Sequence, residues 1–204
     1  MKVTKLEPVT KTKFKVYLDE QFAFVLYKGE LSHFKIREEG EVSQELVDQI
    51  KKEVLVRRAK LRAMHLLNYM DRTEKQLHDR LKQDLYTEDI IEAAMSYVAS
   101  FGYIGDEGYA KRFVSGKQNL KSKREIEQML YQKGISQSVA REAISECYNE
   151  ESELEAIRRL VEKKHFDKEN ATEKEKKRMF DYLLRKGFSY EEIRQVIQVS
   201  CWNA

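Results

Sequence analysis

Residues able to do covalent or metal chemistry are few in this chain, and none stands where such chemistry would need it. The four histidines are His33, His65, His78 and His165, and none pairs with a cysteine or a second histidine at metal-ligand spacing. His65 and His78 read as helix-surface or boundary residues. Cys147 and Cys201 are far apart and lie on apolar helical stripes, which reads as two buried thiols. Two cysteines make no disulfide framework and fit a reduced, cytosolic chain. No Ser/His/Asp arrangement stands out, and no Gly-rich loop ends in Lys-Ser/Thr, so no phosphate cradle of that kind exists. Glu88, Asp89, Glu191 and Glu192 open helices, where the dipole favours anions, so they read as structural. The expectation is no catalytic, cofactor or metal site, and a protein that works by binding.

The binding chemistry on offer is cationic. The overall charge of +3 is small, but its distribution is uneven. Residues 51–82 carry ten Lys/Arg against four Asp/Glu, residues 107–133 seven against three, and residues 157–187 eleven against six. Residues 136–156 reverse the sign, with one against six. The candidate contact residues fall in three clusters. The middle one holds Lys111, Arg112, Lys117, Lys121, Lys123 and Arg124, with Tyr109 and Phe113 on the same segment. Arg72, Lys75, Arg80 and Lys82 occupy the corresponding place upstream, and Lys174, Lys176, Lys177 and Arg178 the one downstream. Such a stripe suits DNA phosphates or an acidic protein surface. The competing reading is a set of solvated helix faces balanced by neighbouring glutamates.

The elements that must carry these clusters are mostly helical. One proline and eight glycines are few breakers, and the apolar positions from Ser43 onward repeat at helical spacing. Examples are Ala59, Ala63, Leu66, Leu67 and Met70, and later Val139, Ala143, Ile144 and Cys147, then Ile193, Val196, Ile197 and Cys201. The first thirty residues differ. Phe14, Val16 and Leu18 alternate with polar neighbours, as do Phe22, Phe24 and Leu26 after the link Asp19-Glu20-Gln21, which predicts a β-hairpin. Val3 to Val9 adds a third strand with Pro8 at its edge. So small a sheet must lean on a helix. Residues 28–42 form a connector with a helical turn around Leu31.

Internal repetition organises the rest. Capping-box patterns occur at Thr73-Glu74-Lys75-Gln76, Ser122-Lys123-Arg124-Glu125 and Thr172-Glu173-Lys174-Glu175, at nearly even spacing. Each opens a helix, carrying Leu77 and Leu81, then Ile126, Met129 and Leu130, then Met179, Leu183 and Leu184. These helices end at Asp84-Leu85-Tyr86-Thr87, Lys133-Gly134-Ile135-Ser136 and Lys186-Gly187-Phe188-Ser189, the first lacking the glycine. A further helix precedes each box, at residues 52–70, 106–117 and 152–164, and another follows, to about Phe101, Tyr148 and Ser200. The fold class is therefore mainly α, three tandem three-helix repeats behind a small β-hairpin module. The boundaries fall at residues 1–42, 43–101, 102–149 and 150–204. Stacked repeats predict an elongated molecule, with a single globular bundle as the alternative.

This arrangement resembles the RecX family. The segment from Ala59 through Leu66-Leu67 and Asp71-Arg72-Thr73-Glu74-Lys75-Gln76-Leu77 to Arg80-Leu81 is similar to the family's first-repeat signature. Phe101-Gly102-Tyr103-Ile104-Gly105-Asp106-Glu107-Gly108-Tyr109-Ala110 is similar to its central motif, the most specific part of the match. Ile126, Leu130 and Lys133-Gly134-Ile135 resemble a third. The likeness covers about residues 55–200. It departs at Gly105, where the family often carries a second acidic or amide residue, while Asp106 keeps the cap.

The resemblance implies a non-enzymatic regulator that binds the RecA recombinase filament along its groove and limits ATP hydrolysis, strand exchange and coprotease activity, or in some species modulates them differently. A cytoplasmic location is expected from the cysteine usage, and a monomer because nothing resembles a coiled-coil seam. Single- or double-stranded DNA, bound without sequence preference, is a further partner class. Contacts to several subunits would add avidity. Two other readings stay open, a helix-turn-helix DNA reader and a scaffold for another helical partner. The reader helices are acidic, with Arg141 against Glu142 and Glu146, and Glu88, Asp89 and Glu92 upstream, which suits a major groove poorly. No apolar run approaches the roughly 20 residues of a membrane span, and MKVTKLEPVTK has no apolar signal core.

Overall fold

The computed structural model describes residues 1–197. The chain forms two compact units, one over Met1–Ile104 and the other from Gly105 onward.

The first unit begins with an antiparallel sheet of order β1-β2-β3, made of β1 (Val3–Pro8), β2 (Lys13–Leu18) and β3 (Gln21–Tyr27). The β2–β3 link is a two-residue turn in which Asp19 and Glu20 both take positive φ, the geometry that matches strand twist. Two neighbours fix it. Asp19 Oδ1 accepts the Lys2 N–H at 2.8 Å, and Thr4 Oγ1 accepts the Glu20 N–H at 3.0 Å. Val16, Leu18, Phe24 and Leu26 face inward as their alternation predicts, but Phe22 does not. The register slips between Val16 and Tyr17, so that Val16 pairs with Phe24 and Tyr17 with Phe22. The bulge at Ala23 turns Phe22 out to an edge contact on the Tyr17 ring.

The connector holds the short helix α1 (Lys28–His33) with Leu31 buried. Ser43 then caps a long helical run of α2 (Gln44–Ile50), a π-helical turn at Lys51–Leu55, and α3 (Val56–Tyr69). The expected helix at 52–70 thus extends back to Ser43. The sheet packs on this run through one core that includes Phe24, Leu26, Ile50, Leu55, Ala59 and Ala63. Arg58 pins the junction by donating to the Val25 carbonyl at 3.2 Å, pairing with Glu30 and stacking 4.7 Å from the Tyr27 ring. α4 (Glu74–Gln83) and α5 (Glu88–Ser100) complete the first repeat.

The second unit holds α6 (Asp106–Ser115), α7 (Lys123–Gln132) and α8 (Gln137–Cys147), then α9 (Glu150–Lys163), α10 (Glu173–Arg185) and α11 (Tyr190–Ile197). Each trio has its own core, built on Ile126 and Leu130 in one and on Ile157, Leu183 and Ile193 in the other. At 13 residues, α10 is about a turn longer than the 10-residue α7, as expected. Cys147 is half-buried against its core and carries a free thiol. Cys201 and Ser200 lie outside the described residues.

The helix stops share one mechanism. Gly134 (φ 90) and Gly187 (φ 91) take the left-handed position, and the next residue, Ile135 or Phe188, folds back buried on the helix just finished. Where the first repeat lacks the glycine, Leu85 itself adopts φ 68, with Leu85 N–H bonding Lys82 O and Tyr86 N–H bonding Leu81 O. The caps are less uniform than the sequence suggests. Thr73 and Thr172 form reciprocal boxes, but Ser122 is one-sided. Its partner Glu125 turns away to Lys121 (2.6 Å) and Lys186 (3.7 Å). Two nearby ammonium groups outbid one backbone N–H for that carboxylate.

Candidate functional site

The three cationic clusters lie along α4, along α6 and the link into α7, and in the first turns of α10, and half of their members have a carboxylate partner. In the first repeat Lys75 lies 3.4 Å from Asp79, and Arg80 lies 3.6 Å from Asp84, which also accepts from Arg62 at 2.7 Å. Lys82 reaches Glu88 at 2.7 Å, and His78 shares that carboxylate. Arg72 is half-buried, with Nε shielded from solvent. In the third repeat Lys176 lies 3.5 Å from Glu173, while Lys174, Lys177 and Arg178 are exposed beside it.

The middle cluster is where α7 of the second repeat meets the third repeat, and its geometry is the most constrained. Ser122 is fully buried. Its Oγ accepts from the Glu125 N–H at 3.2 Å and donates to the Lys186 carbonyl at 2.6 Å, so one hydroxyl caps α7 and satisfies the end of α10. Gly187 sits against this joint, where a Cβ would lie 2.9 Å from Arg124 Cβ and 3.0 Å from Ser122 Oγ. Lys123 spans to Glu153 of α9 at 2.9 Å, and its Nζ lies 5.3 Å from the Tyr148 ring centroid. The Tyr148 hydroxyl donates to the Lys121 carbonyl at 2.9 Å, and Ser152 Oγ to Gln118 Oε1 at 2.9 Å.

Glu153 is 3 % exposed, and burial pushes its carboxyl up to about 7, an effect that Lys123 opposes and that the neighbouring Glu192 carboxyl reinforces. Glu192 moves the other way. Burial raises it, but hydrogen bonds from the Ser189 hydroxyl and N–H, with Glu153 as a further donor, outweigh that and hold it ionised. Of the two carboxyls, Glu153 is therefore the one that takes up a proton as pH falls through about 7. Burial also raises the Tyr148 phenol, and the same two carboxylates add to the shift.

Of the predicted middle-cluster residues, Lys111 pairs with Glu146 at 2.7 Å, Lys121 with Glu125, and Lys123 with Glu153. Arg112 lies over Gly108. Lys117 and Arg124 have no carboxylate within ion-pair distance among the described residues, and Arg124 is exposed. The structure thus brings Lys121, Lys123 and Arg124 together but gives them different surroundings. Sequence reasoning missed Glu153, Ser152 and Tyr148, because a glutamate in a −5 block reads as solvated surface. The one available signal was Asn149-x-x-Ser152, an N-cap pattern whose asparagine accepts from the Ser152 N–H at 2.8 Å. As a DNA reader α8 is poorly equipped, since its only basic residue, Arg141, is held by Glu127 at 3.1 Å. Among the described residues, no helix is long and apolar enough to cross a membrane.

Comparison with known proteins agrees with this repeat structure. Models of the first, second and third three-helix domains of RecX match residues 59–97, 106–144 and 150–197. The regulatory protein RecX of Caldanaerobacter subterraneus subsp. tengcongensis is 31% identical over 190 residues, covering 93% of this chain and 94% of that protein. That of Finegoldia magna is 32% identical over 190 residues, covering 91% and 93%. A crystal structure of regulatory protein RecX superposes with a TM-score of 0.65 at 25% identity, covering 97% of this chain and 98% of the other. One from Lactobacillus salivarius gives 0.60 at 26% identity, covering 71% and 95%.

Proposed function

Since the chain belongs to the RecX family, we propose that it regulates the RecA recombinase by binding the RecA filament on DNA and limiting its ATPase, strand-exchange and coprotease activities. The observation that carries this reading is the succession of all three family repeats, in order, over residues 59–197. The protein acts in the cytoplasm as a monomer, without catalysis of its own, and holds single- or double-stranded DNA, if at all, without sequence preference.

The contact residues proposed for this role are Arg72, Lys75, Arg80, Lys111, Arg112, Lys117, Lys121, Lys123, Arg124, Lys176, Lys177 and Arg178. They are not equivalent. A paired lysine must give up or rearrange its carboxylate before it meets a new anion, whereas an unpaired exposed arginine keeps its bidentate donors available. Arg124 is therefore the leading contact of the middle cluster, with the paired cations contributing long-range field.

The test is the DNA-dependent ATPase rate of the cognate RecA, titrated with this protein at fixed salt. A fall in rate at substoichiometric amounts is expected, by blocked growth or capped ends. An unchanged rate with no co-sedimentation on the filament would sink the assignment and leave a helical-repeat scaffold.

A further inference from the structure

The first repeat exposes a second surface, of a chemistry unlike the paired clusters. α5 ends in a left-handed stop at Gly102 (φ 67), with Gly102 N–H bonding Ala99 O at 2.9 Å and Tyr103 N–H bonding Val98 O at 3.1 Å. This stop sets the rings on either side of the glycine in parallel. Phe101 and Tyr103 stack with centroids 5.5 Å apart and planes 16° from parallel, and each side chain remains 55% exposed. Tyr97, one turn back, meets Phe101 edge-on at 5.0 Å and buttresses it. Lys60 of α3 sits 4.7 Å from the Tyr97 centroid.

Two shallow grooves adjoin these rings and share Met64. One is lined by Lys52, Arg57 and Lys60 together with Leu61 and Tyr97, the other by His65, Asn68 and Tyr103. Among the described residues neither has a carboxylate in its lining, and none of Lys52, Arg57 and Lys60 stands in an ion pair. What sets these three cations apart is their place on one groove with Tyr97, which buttresses the aromatic stack.

We infer that this face binds single-stranded nucleic acid, with bases stacking on Phe101 and Tyr103 and phosphates meeting Lys52, Arg57 and Lys60. The charge selects a polyanion. The parallel rings select flat π-faces, which a single strand presents and a duplex keeps internal. Cations at positions 52, 57 and 60 follow one helix for two turns, a length that spans two or three backbone phosphates. Ring stacking and phosphate contacts are open to every base, so binding is sequence-tolerant and falls steeply with salt.

The experiment needs no recombinase, so its result is separate from the fate of the RecA reading. A fluorescent oligothymidylate and an abasic strand of equal length are titrated by anisotropy against the full chain and two variants. Phe101→Ala with Tyr103→Ala should weaken oligothymidylate binding about tenfold or more while leaving abasic-strand binding unchanged. Lys52→Ala, Arg57→Ala and Lys60→Ala together should flatten the log–log salt slope by about 2. Four of the five side chains are exposed and Lys60 is half-buried, so unchanged helical circular dichroism is expected for both variants. Equal binding of abasic strand and oligothymidylate by the unmodified chain would overturn the proposal. So would full oligothymidylate affinity in the aromatic variant, including the case where that variant instead loses binding to a protein partner.

Discussion

Lys123 and Glu153 form an ion pair, Nζ 2.9 Å from Oε2, in which the lysine side chain is 47% exposed and the glutamate 4%. The pair ties the first turn of α7 to the first turn of α9, and so joins the second repeat to the third. Its asymmetry matters. The glutamate has lost nearly all of its water and depends on one ammonium and one neighbouring carboxyl, while the lysine keeps half of its solvation.

Stability should therefore depend on pH through Glu153. Its folded carboxyl titrates at about 7, above the ordinary 4.5, so the folded state binds a proton that the unfolded state releases. Stability from this group is full below about pH 4.5 and is lost as pH rises through 7. Glu153→Gln, which keeps the shape and the hydrogen-bonding edge, should remove this dependence and gain about 1–3 kcal/mol at pH 8 relative to pH 5. Urea midpoints at the two pH values measure it. Parallel pH profiles for the two proteins would show that Glu153 is ionised throughout.

Substitutions at the Ser122–Gly187 contact should be disproportionately costly. Gly187→Ala combines φ 91 with a Cβ at 2.9 Å from Arg124 Cβ, whereas Gly102→Ala meets only its φ of 67 in open space. About 1 kcal/mol is expected at Gly102 and about 2–4 at Gly187. Ser122→Ala, losing a cap and the bond to the half-buried Lys186 carbonyl, should cost about 2 kcal/mol, more than Ser136→Ala at an exposed cap. Thermal unfolding of the four variants ranks them, and equal losses at Gly102 and Gly187 would mean the joint opens to admit the methyl.

Charge reversal separates contact from support within the middle cluster. Arg124→Glu should leave the thermal midpoint near that of the parent and weaken filament co-sedimentation several-fold. Lys123→Glu places a third carboxylate beside Glu153 and Glu192 and should lower the midpoint by several degrees. A binding loss for Lys123→Glu at unchanged midpoint would reassign that lysine from the joint to the partner surface.

The sequence by itself determined the local structure of this protein. The three caps, the Gly134 and Gly187 stops and the helical spacing of the apolar residues are short-range signals, and each acts within about one helical turn. They were enough for the three-helix repeats, the three-stranded module and the family resemblance. Where a local rule met an equally local exception, the sequence was ambiguous, as at Leu85, a leucine in a glycine's conformation, and at Ala23, whose bulge turned Phe22 outward. Only the tertiary structure decided which charges are spent. Glu153 and Glu125 have the same chemistry and similar helical positions, yet one is buried against another repeat and the other left its cap for two lysines. The meeting of Tyr97 with Lys60 likewise depends on how α5 packs on α3. The pairs Lys123–Glu153 and Lys186–Glu125 join residues far apart in sequence, and their energies depend on distance and burial, which residue type and spacing along one chain do not specify.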